Sequence, residues 1–153
     1  MKTATKTEFK QTELGSIPES WDVSTIADVA EVVGGGTPST EDGDNFGGDV
    51  PWITPKDLSD NQFRWIRRGE RNITRKGLAN SSAKLLPKGA VLLTTRAPVG
   101  YVAIAENEVT TNQGFRSLIP KDATSSEFLY YLLKLNTEYL RSNASGTTFG
   151  ELS

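Results

Sequence analysis

The 153-residue sequence contains no cysteine and no histidine. Without cysteine, the chain can form neither a disulfide bond nor a thiolate metal site. Without histidine, it lacks the most common zinc ligand, the most common general base and every catalytic triad built on an imidazole. No apolar run approaches the ~20 residues of a membrane-spanning helix, and the polar N-terminus does not have the apolar core of a signal peptide. We therefore expect a cytoplasmic, single-domain protein that does not contact a membrane.

Motifs for nucleotide chemistry and for catalysis are also missing. The stretch GGGTPST lacks the G-x-G-x-x-G spacing of a dinucleotide-binding turn, and Asp49 stands where a phosphate-binding loop needs lysine. Glu8 and Lys10 have the E-x-K form of a nuclease motif, but no Pro-Asp pair precedes them. The N-P-P-[FYW] and D-P-P-Y motifs of amino-group methyltransferases do not occur. We expect no catalytic residue, no metal and no cofactor in this chain.

Charge is distributed unevenly along the chain. Residues 1–55 hold 3 basic and 10 acidic side chains, residues 56–96 hold 10 and 3, and residues 97–153 hold 4 and 6. The formal net charge of −2 therefore hides a basic middle, concentrated in the stretch FRWIRRGERNITRK, Phe63–Lys76, which we call the basic segment. Such asymmetry indicates a polyanionic partner that meets one face of the molecule. Charge runs also occur on solvated surfaces beside neighbouring acids, so the basic middle alone leaves both interpretations open.

Turn and capping residues divide the chain into short elements. Residues 1–13 are polar and without periodicity, which is typical of a loose tail, and residues 14–153 are expected to form the domain. Short strands are predicted in EVVGGG, VPWIT, AVLLTTR, YVAIA and FRSLIP. Short helices are predicted in TIADVA, behind a capping box of Thr25 and Asp28, in PKDLS, which starts with Pro55, and after the basic segment.

One longer helix is predicted from Ser125 to about Ser142. Thr124 and Glu127 have the spacing of its capping box, and Gly146 can take the left-handed C-terminal cap. The apolar residues that we expect to pack on the core are Phe128, Leu129, Leu132, Leu133, Leu135, Tyr139 and Leu140, with Tyr130 and Tyr131 also in the helix packing. Several short strands, short helices and one longer C-terminal helix together predict a mixed α/β (α+β) domain.

Four stretches, read in order along the chain, resemble one known family. They are GSIPESWDVSTIADVAEVVGGGTPS, GGDVPWITPKDLSD, ITRKGLANSSAKLLPKGAVLLTTRAPVGYVAIAENEVTTNQGF and FLYYLLKLNTEYLRSNASGTTFGELS. They are similar to the target-recognition domain of type I restriction-modification specificity (S) subunits, and the resemblance runs from about Leu14 to Ser153. One short motif such as GGGTPS would be weak evidence, whereas this order and spacing over nearly the whole chain is specific.

The resemblance implies a non-catalytic domain that binds double-stranded DNA. A full S subunit has two such domains, each of which recognises one half of a bipartite site, and helices between them form a spacer. The spacer binds two methyltransferase (M) subunits, and the assembly recruits ATP-driven restriction (R) subunits. S-adenosylmethionine, ATP and Mg²⁺ would then belong to the partner subunits. Because the sequence stops without a spacer helix, we expect a half-subunit or a fragment, and pairing with a second S half-subunit stays open.

DNA recognition needs phosphate contacts for affinity and base-edge contacts for specificity. The candidates for phosphate contacts are Lys56, Arg71, Arg75, Lys76, Lys84, Lys88, Arg96, Thr37 and Ser39. The candidates for base readout, in or beside the basic segment, are Asn61, Gln62, Arg64, Arg67, Arg68 and Asn72. We expect the cations of the central third to converge on one concave wall that fits a double helix.

Motifs that domains of different specificity share cannot determine what each domain recognises. We therefore expect GGGTPS, PWIT, TNQGF and ASGTT to be mainly structural, with a buried Trp52 and with Asn112 or Gln113 bonded to loop backbone. Phosphate contacts by the hydroxyls of GGGTPS and by Thr147 are the alternative. Trp65 is expected to be a core anchor, with base stacking as its alternative role.

A second functional class stays open at this stage. The chain could be a protein-interaction module without sequence-specific DNA binding. On that interpretation, the basic segment pairs within the fold with the acidic stretch Glu41–Asp49, which we call the acidic loop.

Overall fold

Within residues 6–96 and 98–144, which the computed structural model describes, the chain forms ten strands, five α-helices and one 3₁₀ turn, all of them short. The strands are β1 Phe9–Thr12, β2 Gly15–Pro18, β3 Ala30–Gly34, β4 Phe46–Ile53, β5 Trp65–Ile66, β6 Arg71–Ile73, β7 Val91–Leu93, β8 Val102–Ala105, β9 Thr110–Thr111 and β10 Arg116–Pro120. The helices are α1 Ile26–Val29, α2 Pro55–Asp60, α3 Arg75–Ala79, α4 Ser126–Leu135 and α5 Thr137–Ser142, and the 3₁₀ turn is Gly43–Asn45. This mixture confirms the predicted α+β class.

Five strands form the larger sheet, in the order β3–β10–β7–β8–β5. β10 runs antiparallel to β3, while β8 runs antiparallel to β7 and parallel to β5. The central strands β7 and β8 are continuously apolar and buried, as strands covered on both faces generally are. One core cluster contains Phe115 and Leu92, and a second contains Leu129 and Leu133 of α4.

Three strands form the smaller sheet, in the order β6–β4–β9. β4 pairs antiparallel with β6 and parallel with β9, which places Trp52 between Arg71 and Thr110. Its core cluster contains Val50, Trp52, Ile73 and Ala83. Because β5 belongs to the larger sheet and β6 to the smaller one, the basic segment crosses from one sheet to the other.

Local capping signals in the sequence are confirmed. At α1, the N–H and the hydroxyl of Thr25 both donate to one carboxylate oxygen of Asp28, at 2.8 Å each. α2 begins at Pro55, and there Thr54 donates in the same way to Asp57. The helix predicted after the basic segment is α3, and the five predicted strands are β3, β4, β7, β8 and β10.

The prediction of one continuous C-terminal helix is wrong. α4 starts after Ser125, whose hydroxyl accepts the Phe128 N–H at 3.2 Å, so Thr124 is not the capping residue. The helix stops at Asn136, whose side-chain amide donates to the Leu132 carbonyl at 2.7 Å, and α5 follows as a separate helix. Asparagine side chains compete for backbone hydrogen bonds in this way, which favours an interruption.

The side of α4 that faces the core also differs from the prediction. Leu129, Tyr130 and Leu133 are buried in the cluster that includes β7 and β8. Residues of the predicted core-facing set that are instead exposed are Phe128, Tyr131, Leu132, Leu135 and Tyr139. Apolar side chains surround this helix, so periodicity alone does not identify the buried side.

β1 and β2 form an antiparallel hairpin, with Phe9 opposite Pro18 and Thr12 opposite Gly15. Part of the segment predicted as a loose tail, residues 9–12, is therefore paired. Gly15 has a φ of +100°, a conformation that favours glycine in this tight turn. The predicted domain boundary at residue 13 stays a prediction, and the predicted cap at Gly146 lies outside the described residues.

Candidate nucleic-acid interface

The backbone of the basic segment is held in place by neighbouring elements. Asp57 of α2 accepts the Glu70 N–H at 2.9 Å, and Gly69 packs so closely on that carboxylate that a Cβ there would overlap it. The side-chain amide of Asn107 donates to the Arg67 carbonyl at 3.0 Å. These contacts hold the backbone of the loop between β5 and β6, and the Arg67 and Arg68 side chains are exposed.

Arg64, a candidate for base readout, contacts α4. Its guanidinium donates to the Tyr131 hydroxyl at 2.8 Å and lies 3.6 Å from the Glu127 carboxylate. The bond to the Tyr131 hydroxyl, with the charge of Glu127, raises the pKa of Arg64. Arg64 is therefore part of the contact between β5 and α4, a placement that the sequence does not reveal.

Cations at the end of the basic segment pair with the acidic loop. Lys76 Nζ lies 2.7 Å from Asp42 and 3.6 Å from Asp44, and Arg75 lies 3.7 Å from Asp49. The hydrogen bond between Lys76 and Asp42 raises the pKa of Lys76 and lowers the pKa of Asp42. Exposed ion pairs of this kind contribute little to stability, so these cations can exchange a carboxylate for a phosphate.

Two further cations in or near the basic segment also have acidic partners. Lys56 lies 3.7 Å from Glu70, and Arg67 lies 3.5 Å from Glu106. The ten cations of residues 56–96 therefore do not form one uninterrupted positive wall. Their convergence on a single concave surface stays a prediction.

Four of the residues that we predict to contact phosphates or bases are exposed cations that take no part in these ion pairs. In the part of the chain that the structure describes, no carboxylate lies within ion-pair distance of Arg68, Arg71, Lys84 or Lys88. The remaining candidate cation, Arg96, is half-buried close to Gly114. The four exposed cations are the ones that can meet a polyanion without first breaking an ion pair.

Arg71 is positioned by aromatic rings. Its guanidinium carbon lies 4.1 Å from the centre of the Phe46 ring and 5.7 Å from that of Trp52, and the two rings meet edge to face at 5.8 Å. A guanidinium that stacks on a ring keeps its in-plane N–H groups available for an acceptor. Arg71 therefore lies against an aromatic surface on β6 and is exposed, so its guanidinium can donate to a phosphate.

The amide candidates for base readout divide into two groups. Asn61 donates to the Phe63 carbonyl at 2.7 Å, and Asn72 donates to the Gly48 carbonyl at 3.0 Å, so both amides stabilise local backbone. Gln62 is exposed at the turn between α2 and β5. Whether any of the three contacts a base stays a prediction; within the described residues, the Gln62 side chain makes no hydrogen bond to backbone like those of Asn61 and Asn72.

The GGGTPS loop packs against the smaller sheet. Trp52 is 6% exposed and donates its indole N–H to the Gly36 carbonyl at 3.0 Å, while the Gly36 N–H donates to the Thr111 carbonyl at 2.9 Å. A Cβ on Gly35 would overlap the Asn112 carbonyl, and one on Gly36 would overlap residues 82–83. These contacts confirm that Trp52 is buried and that the loop needs its glycines for close packing.

The polar residues around this loop mostly bond to one another. The Asn112 carboxamide oxygen accepts the Gly114 N–H at 2.9 Å, which confirms its predicted bond to loop backbone, and the Thr37 hydroxyl donates to the Gln113 side chain. The Ser39 hydroxyl accepts the Glu41 N–H at 3.3 Å. Phosphate contacts by Thr37 and Ser39 stay a prediction, and Thr147 lies outside the described residues.

The two aromatic residues at the start of the basic segment differ in burial. Trp65 is half-buried against the cluster that contains α4, which confirms its predicted role as a core anchor. Phe63 is 78% exposed. The sequence holds no signal that separates them, because either aromatic residue fits a short strand beside α4.

Two features are absent from the described residues. They contain no group of three or more acidic side chains arranged to hold a metal ion. Among their helices, none has both the length and the apolar character that crossing a membrane requires.

The chain belongs to the family of type I restriction modification DNA specificity domains, whose family model matches residues 18–153. It is 57% identical over 149 residues to the specificity subunit of type I restriction enzyme MjaIX from Methanocaldococcus jannaschii, covering 96% of this chain and 34% of the relative. It is 34% identical over 134 residues to the HindI specificity subunit from Haemophilus influenzae, covering 86% of this chain and 29% of that protein. The chain thus spans about a third of the curated relatives that it matches.

A solved structure shares the fold. The crystal structure of the HsdS subunit from Thermoanaerobacter tengcongensis superposes with a TM-score of 0.67 at 22% identity, covering 94% of this chain and 36% of that chain. The family assignment and this likeness confirm the resemblance to a single target-recognition domain and the fold that it implies.

Proposed function

We propose that this chain is a DNA sequence-recognition module of a type I restriction-modification system, which recognises one half of a bipartite site. The observation that carries the proposal is the match to the DNA specificity family over residues 18–153. The module is non-catalytic and directs methyltransferase and restriction subunits to the DNA. S-adenosylmethionine, ATP and Mg²⁺ belong to those partners, and a second recognition domain recognises the other half of the bipartite site.

Phosphate contacts supply the affinity in this proposal. Arg71, Lys84 and Lys88 are exposed cations outside the ion pairs of the described residues, so they can neutralise phosphates directly. Each neutralised phosphate makes the fall of log affinity with log salt steeper by about 0.9. Binding carried by these three side chains is therefore weakened as salt rises.

Base-edge contacts supply the specificity. Arginine pairs with the two major-groove acceptors of guanine, and glutamine pairs with the edge of adenine, each for about 1–3 kcal/mol of discrimination. Arg68 and Gln62 are the exposed side chains of the basic-segment region with this chemistry. Gln62 lies just before β5 and Arg68 lies just after it. Two neighbouring loops therefore present side chains with different base preferences.

The test is a binding titration of the 153-residue chain. Duplexes are selected from a random pool by the wild-type chain, and the affinity of a selected and a scrambled duplex is measured across salt concentrations. We expect tighter binding to the selected duplex, and Arg71→Gln should weaken binding to both duplexes and lower the salt slope by about 1. Lys134→Gln on α4 is the matched control, since it removes an exposed cation outside the basic segment.

Two results would contradict the proposal. Affinity that does not depend on salt would show that phosphate contacts do not supply the binding, and equal affinity for selected and scrambled duplexes would show that the chain does not recognise sequence. Arg67 and Arg68 separate the proposal from a protein-interaction module, because their neutralisation should lower DNA affinity and leave the unfolding midpoint unchanged. Incubation with DNA, Mg²⁺ and S-adenosylmethionine should leave the DNA uncut and unmethylated.

A further inference from the structure

Phe63 is an exposed aromatic residue inside a basic segment. Its ring is 78% exposed at the turn that connects α2 to β5. Trp65, two residues further along, is half-buried against the cluster that contains α4. The fold therefore uses one of these aromatic residues for packing and leaves the other in solvent.

The turn that carries Phe63 is held on both sides. Asn61 donates its side-chain amide to the carbonyls of Phe63 at 2.7 Å and Trp65 at 3.4 Å. The Ile104 N–H donates to the Arg64 carbonyl at 2.8 Å, which joins the turn to β8. The ring therefore projects from a fixed backbone, and a partner that contacts it does not have to order the loop first.

The chain neighbours of Phe63 are polar or cationic. Gln62 is exposed on one side, and on the other side Arg64 bonds to the hydroxyl of Tyr131, a half-exposed aromatic residue of α4. Arg68 is a further exposed cation on the loop that follows β5. DNA combines apolar base faces with anionic phosphates, so a single ring between a glutamine and cations matches its chemistry.

We infer that Phe63 is a base-contacting residue whose ring enters between two neighbouring bases of the bound DNA. The inference rests on the proposed function and adds to it a contact that carries no charge. Insertion favours steps that unstack easily, above all pyrimidine–purine steps, so Phe63 selects sequence through deformability. Gln62 lies next to it and can bond to the edge of a base at the opened step.

The experiment measures the affinity of four forms of the 153-residue chain for a duplex selected by the wild type. The forms are the wild type, Phe63→Ala, Phe63→Trp and Phe128→Ala, where Phe128 is a 64% exposed ring on α4. We expect Phe63→Ala to weaken binding about 5- to 100-fold with an unchanged salt slope, since stacking on a base contributes no counterion release. Phe63→Trp should keep most of the affinity, and Phe128→Ala should bind like the wild type.

A second measurement uses the same duplex with 2-aminopurine placed at one position at a time. The fluorescence of 2-aminopurine rises when the base is unstacked. Binding of the wild type should therefore raise the fluorescence at one base step, and binding of Phe63→Ala should not. If the wild type binds and Phe63→Ala binds equally well, the inference is wrong while the proposed function stands. A lower unfolding midpoint in Phe63→Ala would show a structural role and also overturn it. If the wild type selects no duplex, the proposed function itself fails.

Discussion

At the scale of single residues, Gly36 shows how the GGGTPS loop depends on close packing. Its carbonyl accepts the Trp52 indole N–H and its N–H donates to Thr111, so the residue joins the loop to both β4 and β9. The space where a side chain would start is occupied by Ser82 and the Ala83 backbone. The glycine is therefore required by its surroundings.

Gly36→Ala should destabilise the protein by about 1–3 kcal/mol, because an added methyl group in a close-packed site forces backbone to move. Urea unfolding followed by circular dichroism measures the change. Gly43→Ala is the matched control, since a Cβ there meets nothing within 4 Å, and it should stay within about 0.5 kcal/mol of the wild type. Equal effects of the two substitutions would contradict the packing argument.

At the scale of elements, α4 is an amphipathic helix with apolar residues outside its buried side. Leu133 is 3% exposed and lies in the cluster with β7 and β8, whereas Leu135 is 85% exposed. The sequence predicts both residues to pack on the core, since each fits a helical period from Phe128 or Leu129. Contact with the larger sheet decides between them.

Leu133→Ala should lower the free energy of unfolding by about 2–5 kcal/mol, because it leaves a cavity between α4 and the larger sheet. Leu135→Ala should change it by less than about 0.5 kcal/mol. The pair has the same chemistry and differs only in the side of the helix, so the measurement reports which side packs. A larger loss from Leu135→Ala would show that the helix is rotated from the orientation described.

At the scale of the whole molecule, ion pairs join the last two residues of the basic segment to the acidic loop. The Lys76 ammonium lowers the pKa of Asp42, so the stability from this carboxylate is present above its unfolded pKa and is lost as pH falls through the lower folded value. Lys76 has a raised pKa, so the stability that its charge contributes to the fold is present below its unfolded pKa and is lost as pH rises through the higher folded pKa.

Lys76→Met should therefore lower the unfolding midpoint slightly at neutral pH, and the difference from the wild type should vanish in strong acid and in strong alkali. The effect is small because both side chains are exposed to solvent. Thermal unfolding from strong acid to strong alkali, beyond the raised pKa of Lys76, tests the window. A difference that persists after Asp42 is protonated would show that Lys76 acts through another partner.

The same ion pair competes with DNA under the proposed function. Asp42→Asn removes the nearer of the two carboxylates beside Lys76 and should raise the affinity for duplex DNA, with a salt slope that steepens by up to about 0.9. Glu138→Gln is the matched control, because it removes one negative charge and releases Arg141 on α5, away from the basic segment. The same increase in both variants would show that net charge, rather than Lys76, is responsible.

The sequence by itself determined the features that depend on neighbouring residues. The capping box of Thr25, the helix start at Pro55, the five apolar strands and the family to which the chain belongs all follow from local pattern and order. These features could be predicted because hydrogen bonds over three residues and β-branched runs act within a short stretch of chain.

Only the tertiary structure decided which of the candidate DNA-contacting side chains are free of bonds to the rest of the described fold. Arg64 bonds to Tyr131, which is 67 residues away, and Asn72 bonds to Gly48, which is 24 residues away. Phe63 and Trp65 have similar local sequence but opposite surroundings, because only Trp65 meets the α4 cluster. Partners this far apart in sequence are brought together by the packing of α4 on the larger sheet and by the pairing of β4 with β6, and no local pattern encodes either meeting.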